Sequence, residues 1–170
     1  MQNLTKSTKL FLFITMLFFA LWIGGYVLRH MVIYQLFEPE NPSLKINYTS
    51  KILPDILYII FPIFVFNIVS YAVFIISFLV FIFISKISLK REGWLLISCI
   101  VIAICAPFEI YLLTKDYEIA RVINSQDFNP LIVINLIHER LVVLSSFSLI
   151  EIMSSVGIIF LCVFQPLKKS

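Results

Sequence analysis

The chain has 170 residues, 61% of them hydrophobic and only 14% charged, with a mean hydropathy of +1.01. That much apolar surface excludes a soluble domain of this length, because a small domain leaves a large share of its surface in water. The net charge of +3 is small and the basic residues gather at the ends of apolar runs, which argues against nucleic acid as a partner.

The first apolar run covers Leu10–Leu28. About 20 helical residues cross a hydrocarbon core of ~30 Å, so this run is long enough to span a bilayer. Lys6 and Lys9 precede it as in a secretory signal, but the run exceeds an ordinary signal core of about 7–15 residues and is read as a retained first helix. Met31, Val32, Ile33, Leu36 and Phe37 carry it beyond Leu28, and Pro42 with the polar stretch 38–50 ends it.

The second run, Ile56–Ile84, opens at Pro54, a favoured first-turn residue, and reaches Ser85. Pro62 is expected to kink it. The third, Trp94–Thr114, has Pro107 near its outer end, where a bend is also expected, and the polar residues 115–129 are expected to lie outside the membrane. Pro130 opens a further apolar stretch up to His138, with the fourth span at Leu141–Phe164. Backbone groups in hydrocarbon must be satisfied internally, and the runs show no strict alternation, so helices are expected rather than barrel strands. The fold class is therefore all-α: one antiparallel four-helix membrane domain over residues 1–170.

Orientation follows from charge at the span ends. The N-terminal tail, the second connection (Lys86, Lys90 and Arg91 against Glu92) and the tail with Lys168 and Lys169 are basic on balance. In the first connection Arg29, Lys45 and Lys51 cancel Glu38, Glu40 and Asp55. In the third, Lys115, Arg121 and Arg140 face Asp116, Glu118, Asp127 and Glu139. Both termini are expected in the cytoplasm, with a bacterial inner membrane as the location. Asn47-Tyr48-Thr49 is a formal glycosylation acceptor on the expected outer loop.

Polar residues inside spans are the candidates for function, because each costs free energy in lipid. Glu151 lies about ten residues into the fourth span. A carboxyl there costs ~2.5–3.5 kcal/mol on insertion scales and is expected to face the bundle interior, protonated. Ser148 and Ser155 share its helix face and Ser145 lies above them. The stripe suits a proton or cation relay or a ligand contact, or a neutral acid bonded to a neighbouring helix. Asn67, Ser70 and Tyr71 make a similar stripe on the second helix, which helix–helix hydrogen bonding accounts for. Toward the outer surface stand Arg29 and His30, Glu109, and His138, Glu139 and Arg140. In an antiparallel bundle these ends meet at one level, either as interfacial anchors or as a pocket for a metal, a porphyrin or an anion. Met31 and Met153 add soft sulfur without a copper-binding pattern. Cys99, Cys105 and Cys162 all lie in apolar spans and read as small buried hydrophobes. Gly24-Gly25 after Trp22 permits close helix approach.

Leu21-Trp22-Ile23-Gly24-Gly25, followed by Met31-Val-Ile-Tyr-Gln-Leu-Phe37, resembles the first helix of the copper-resistance-D-like superfamily, and most of all its transmembrane-protein-205-like branch of unknown function. Ile137-His138-Glu139-Arg140 is similar to the opening of that branch's fourth helix. The resemblance implies a four-helix membrane domain; no cofactor is expected, and haem or copper are the ones to consider if one is bound. Thr15 stands where metal- and porphyrin-linked relatives carry a histidine, and Gln35 or its neighbour where the branch has a proline. No reaction signature is present. The favoured expectation is a non-enzymatic scaffold or accessory subunit, in contact with lipid and with other membrane subunits. The alternatives are a permease for a metal ion or small solute, and a haem-binding redox protein.

Overall fold

A computed structural model describes residues 5–38, 44, 45, 48, 51–87, 89, 92–126, 128–143 and 146–167. Asn47, Ser145, Pro42, Glu40, Lys90, Arg91, Asp127, Lys168 and Lys169 lie outside the described residues. The chain is all-α: α1 Lys6–Tyr34, α2 Leu53–Ser85, α3 Gly93–Ile123, α4 Pro130–Val142 and α5 Phe147–Phe164. Thr5 caps α1, its hydroxyl accepting from Thr8 N at 3.3 Å. Asn129 caps α4, accepting from Leu131 N at 3.0 Å, with Pro130 as the first helical residue.

Four of these helices, α1, α2, α3 and α5, are long and apolar enough to cross a membrane. Their outward faces carry large apolar side chains, among them Phe83 at 80% exposure and Ile59 at 74%. In water such a surface would aggregate; in lipid it is the solvated face. The protein is an integral, multi-pass membrane protein.

Two boundaries differ from the sequence expectation. First, α3 does not stop at Thr114 but runs on to Ile123, so residues 115–123 are helical and not an outer loop. Leu112, Ile119 and Ile123 continue the buried stripe of Cys105 and keep the helix packed. Second, the span expected at Leu141–Phe164 is divided. The helix α4 ends at Val142, Val143 is extended at φ −67° and ψ 122°, and α5 begins at Phe147. The fourth membrane-length helix is therefore Phe147–Phe164, preceded by a separate helix. Pro62 and Pro107 lie inside α2 and α3, which run through them as helix.

Pairing is antiparallel along the chain. Thr15 Oγ1 lies 3.2 Å from Ser77 Oγ, the Phe19 and Phe74 rings are 5.0 Å apart and those of Trp22 and Tyr71 are 5.0 Å apart. At Gly25 an added Cβ would stand 2.9 Å from the Phe66 ring and 3.2 Å from Asn67 Oδ1. Close approach of α1 and α2 thus depends on Gly25, whereas nothing lies within 4 Å of a Cβ on Gly24. Along α3, Lys115 pairs with Glu139, Asp116 with Arg140, and Phe108 with Phe147. Lys115 and Asp116 thus meet α4 and Phe108, earlier on α3, meets α5, so the chain runs back along α3 through both helices.

The core is layered. The C-terminal ends of α1 and α3 and the N-terminal end of α2 enclose α4 around Ile33, Leu57, Ile119 and Ile137. Aromatic residues Phe19, Trp22, Tyr26, Tyr71 and Phe74 fill the middle with Ile158. Phe81, Trp94 and Leu95 close the other end.

Candidate functional site

Each buried charge sits on a helix at a position dictated by the apolar register around it. On α1, Trp22, Tyr26, Arg29 and Ile33 recur every three or four residues and all are buried. On α3 the same spacing runs through Cys105, Glu109, Leu112, Asp116 and Ile119. On α4 it runs Val133, Ile137, Arg140. The stripe that buries the apolar residues therefore carries Arg29, Glu109, Asp116 and Arg140 into the same interior.

There Asp116, with no exposed surface, binds both arginines. Arg29 Nη1 donates to Asp116 Oδ2, and Arg140 Nε pairs with Asp116 Oδ1 at 2.5 Å. The Arg29 guanidinium also lies over the Tyr26 ring, 4.9 Å from its centroid. One acid between two guanidiniums leaves a net positive charge. Glu109 is the group placed to offset it: it is fully buried and within electrostatic reach of Arg29, Arg140 and Asp116. Both Glu109 oxygens, and Arg29 Nε and Nη2, lack hydrogen-bond partners among the described residues.

Below this layer the candidates continue as a column. His30 Nδ1 lies 2.9 Å from the Tyr26 carbonyl and Nε2 2.9 Å from Ser148 Oγ. Tyr71 lies within electrostatic reach of both Glu109 and Glu151. Glu151 is 5% exposed, neighbours Cys105, and leaves Oε2 unpartnered. Ser155 is buried beside it. Asn67, wholly buried, donates through Nδ2 to the Ile63 carbonyl at 2.9 Å and serves the α1–α2 seam at Gly25.

The expected outer pocket is thus half assembled. Arg29, Glu109 and Arg140 come together. His30 turns toward Ser148, His138 packs its ring 6.3 Å from that of Phe37, and Glu139 is half exposed in a 3.0 Å pair with Lys115. The intramembrane set Glu151, Ser148 and Ser155 joins the same column through His30 and Tyr71. Asp116 is the residue that sequence reasoning missed, having counted it among loop charges. The signal was present: Leu112, Ile119 and Ile123 extend the buried period past Thr114 and put Asp116 on the inner face.

As an axial pair for haem the two histidines fit poorly, since both His30 nitrogens are engaged and His138 lies in a different contact set. Thr15, at the position of the relatives' histidine, bonds to the Phe11 carbonyl at 2.8 Å. Met31 and Met153 are exposed on the helix surface, away from the column. Among the described residues no group of three or more His, Cys, Asp or Glu is disposed to hold a metal.

No protein-family model matches the chain, no curated protein matches it, and no solved structure matches it.

Proposed function

We propose that the protein is a proton-coupled permease for a small anionic solute, with Arg29, Glu109, Asp116 and Arg140 as its binding layer. The observation that carries the reading is Glu109: a fully buried carboxyl with neither oxygen partnered, beside two guanidiniums that share one aspartate. A scaffold has no use for ionisable groups left unpaired in a low-dielectric interior, where they destabilise the fold by several kcal/mol.

Two further features support it. The charged layer lies beside the break between α4 and α5, and because α5 alone is long enough to cross the bilayer, that layer stands near one face of the membrane, where a solute can enter. Arg29 Nε and Nη2 offer a planar pair of donors suited to a carboxylate or phosphate. An incoming anion would compete with Asp116 for the guanidiniums. The carboxyls of Glu109 and Glu151 would carry the coupled proton down the column. The surplus of guanidinium over aspartate favours an anion rather than a metal cation.

The resemblance to the copper-resistance-D-like superfamily enters this proposal as architecture only. Thr15 and the separate settings of His30 and His138 give its haem and copper chemistry no support here.

The test is uptake of radiolabelled phosphate and succinate into proteoliposomes with an imposed pH gradient. Uptake of at least one should rise with an inward proton gradient, fall at least tenfold in Arg29→Gln, and lose its gradient dependence in Glu109→Gln. Absence of uptake of either solute at every gradient, with folded protein, would return the reading to a scaffold.

A further inference from the structure

A second site lies on the other side of Glu151, between α1, α2, α3 and α5. A cavity of about 110 Å³ is walled chiefly by apolar side chains, with Phe19, Phe74, Phe78, Phe81 and Trp94 among them. For scale, an engineered apolar cavity of about 150 Å³ admits benzene. At about three quarters of that volume the cavity takes at most one ring, and the aromatic walls offer tilted and edge-on ring contacts.

This cavity adjoins a void of about 10 Å³ with which it shares Phe19, Phe74, Ile102 and Ile158. Trp22 and Glu151 line the smaller void and not the larger one. Trp22 is 2% exposed and its Nε1–H has no acceptor among the described residues; Glu151 Oε2 likewise has no partner. One unused donor and one unused acceptor on residues lining the same small void match a hydroxyl group, which can accept from the first and donate to the second. Leaving both buried without partners costs free energy that a ligand would recover. Met16 also lines the large cavity and is 43% exposed on the lipid-facing surface, so a ligand can reach it from the bilayer.

We infer that this paired cavity is a binding site for a lipid-soluble phenol, its ring among Phe19, Phe74 and Trp94 and its hydroxyl between Trp22 Nε1 and Glu151. The site shares Glu151 with the proposed proton column, but its test reads binding and does not depend on transport.

The chain has two tryptophans, and they flank the two voids, Trp22 the polar one and Trp94 the apolar one. Tryptophan fluorescence of the full-length protein in nanodiscs, excited at a wavelength that phenols do not absorb, therefore reports occupancy directly. Titration with 4-methylphenol should give a saturable change, and toluene, which lacks the hydroxyl, should bind about tenfold more weakly. Ser98→Phe, which fills the cavity, should abolish the saturable change. Met16→Phe, at the mouth, provides a second blocked variant should Ser98→Phe fail to fold. A change that is linear in ligand, or that persists in the folded blocked variants, means partition into lipid and overturns the site. Equal affinity for toluene overturns the phenol assignment.

Discussion

His30 Nε2 and Ser148 Oγ lie 2.9 Å apart, joining α1 to the first turn of α5. The contact connects the charged layer of Arg29, Asp116 and Arg140 with the stripe of Ser148, Glu151 and Ser155, which in sequence are unrelated sets. It also tethers the start of α5 directly after the division from α4. His30→Ala should therefore lower thermal stability in detergent by about 1–2 kcal/mol, the cost of one buried hydrogen bond and its packing. His138→Ala, which loses only a partly buried ring contact with Phe37, should shift the melting midpoint less. A larger effect at His138 than at His30 would contradict this division of roles.

Asp116 is shared by two buried guanidiniums, so its loss is more damaging than that of either partner. Asp116→Asn should cost about 3–5 kcal/mol, because two cations lose their directly paired counter-ion and only Glu109 is left to offset them. A triple variant, Arg29→Met, Asp116→Leu and Arg140→Met, should recover most of that stability while abolishing anion uptake. Thermal unfolding followed by a thiol-reactive dye is a suitable readout, as Cys99, Cys105 and Cys162 are free and partly or fully buried.

The neighbouring pair Lys115–Glu139 offers a control on the same two helices. Its nitrogen–oxygen distance is 3.0 Å, but Glu139 is 50% exposed. Exposed pairs contribute little because water and salt screen them. Exchanging the two charges, Lys115→Glu with Glu139→Lys, should leave the melting midpoint unchanged within error, whereas exchanging Asp116 and Arg140 should prevent folding.

Adjacent glycines should respond oppositely to the same substitution. Gly25→Leu forces a side chain against Phe66 and Asn67 and should destabilise by about 1–3 kcal/mol. Gly24→Leu projects into open space and should be neutral or slightly stabilising, since leucine favours helix over glycine by several tenths of a kcal/mol. Unfolding midpoints of the two variants, measured side by side, decide it.

Four membrane-length helices, if each crosses once, return the chain to its starting side. Reporter fusions at the two termini should report the same compartment, and the density of basic residues at those ends predicts the cytoplasm. Opposite readings at the two ends would require one of the four helices to stay on one side of the bilayer.

Much of the architecture was legible in the sequence because hydropathy accumulates locally: any run of about 20 apolar residues must be helical and must leave water, whatever its neighbours do. Pro54, Pro130 and the long apolar tail of α1 also marked their helices correctly. The continuation of α3 to Ile123 was harder to see, since Lys115, Asp116 and Glu118 lower the local hydropathy while Leu112, Ile119 and Ile123 keep the buried period. The division between α4 and α5 had no local signature, because Leu141 through Ser146 is as apolar as a helix that continues.

The sequence by itself determined the solvent, the all-α class and the number of membrane-length helices, since these depend on composition within each run. Tertiary structure decided which charges matter. Asp116 and Glu139 are both acids beside a base, yet one is fully buried between two arginines and the other stands at the surface. That difference comes from helix register and from which faces meet, and electrostatic strength follows burial because a charge in a dry interior is far less screened than the same charge in water.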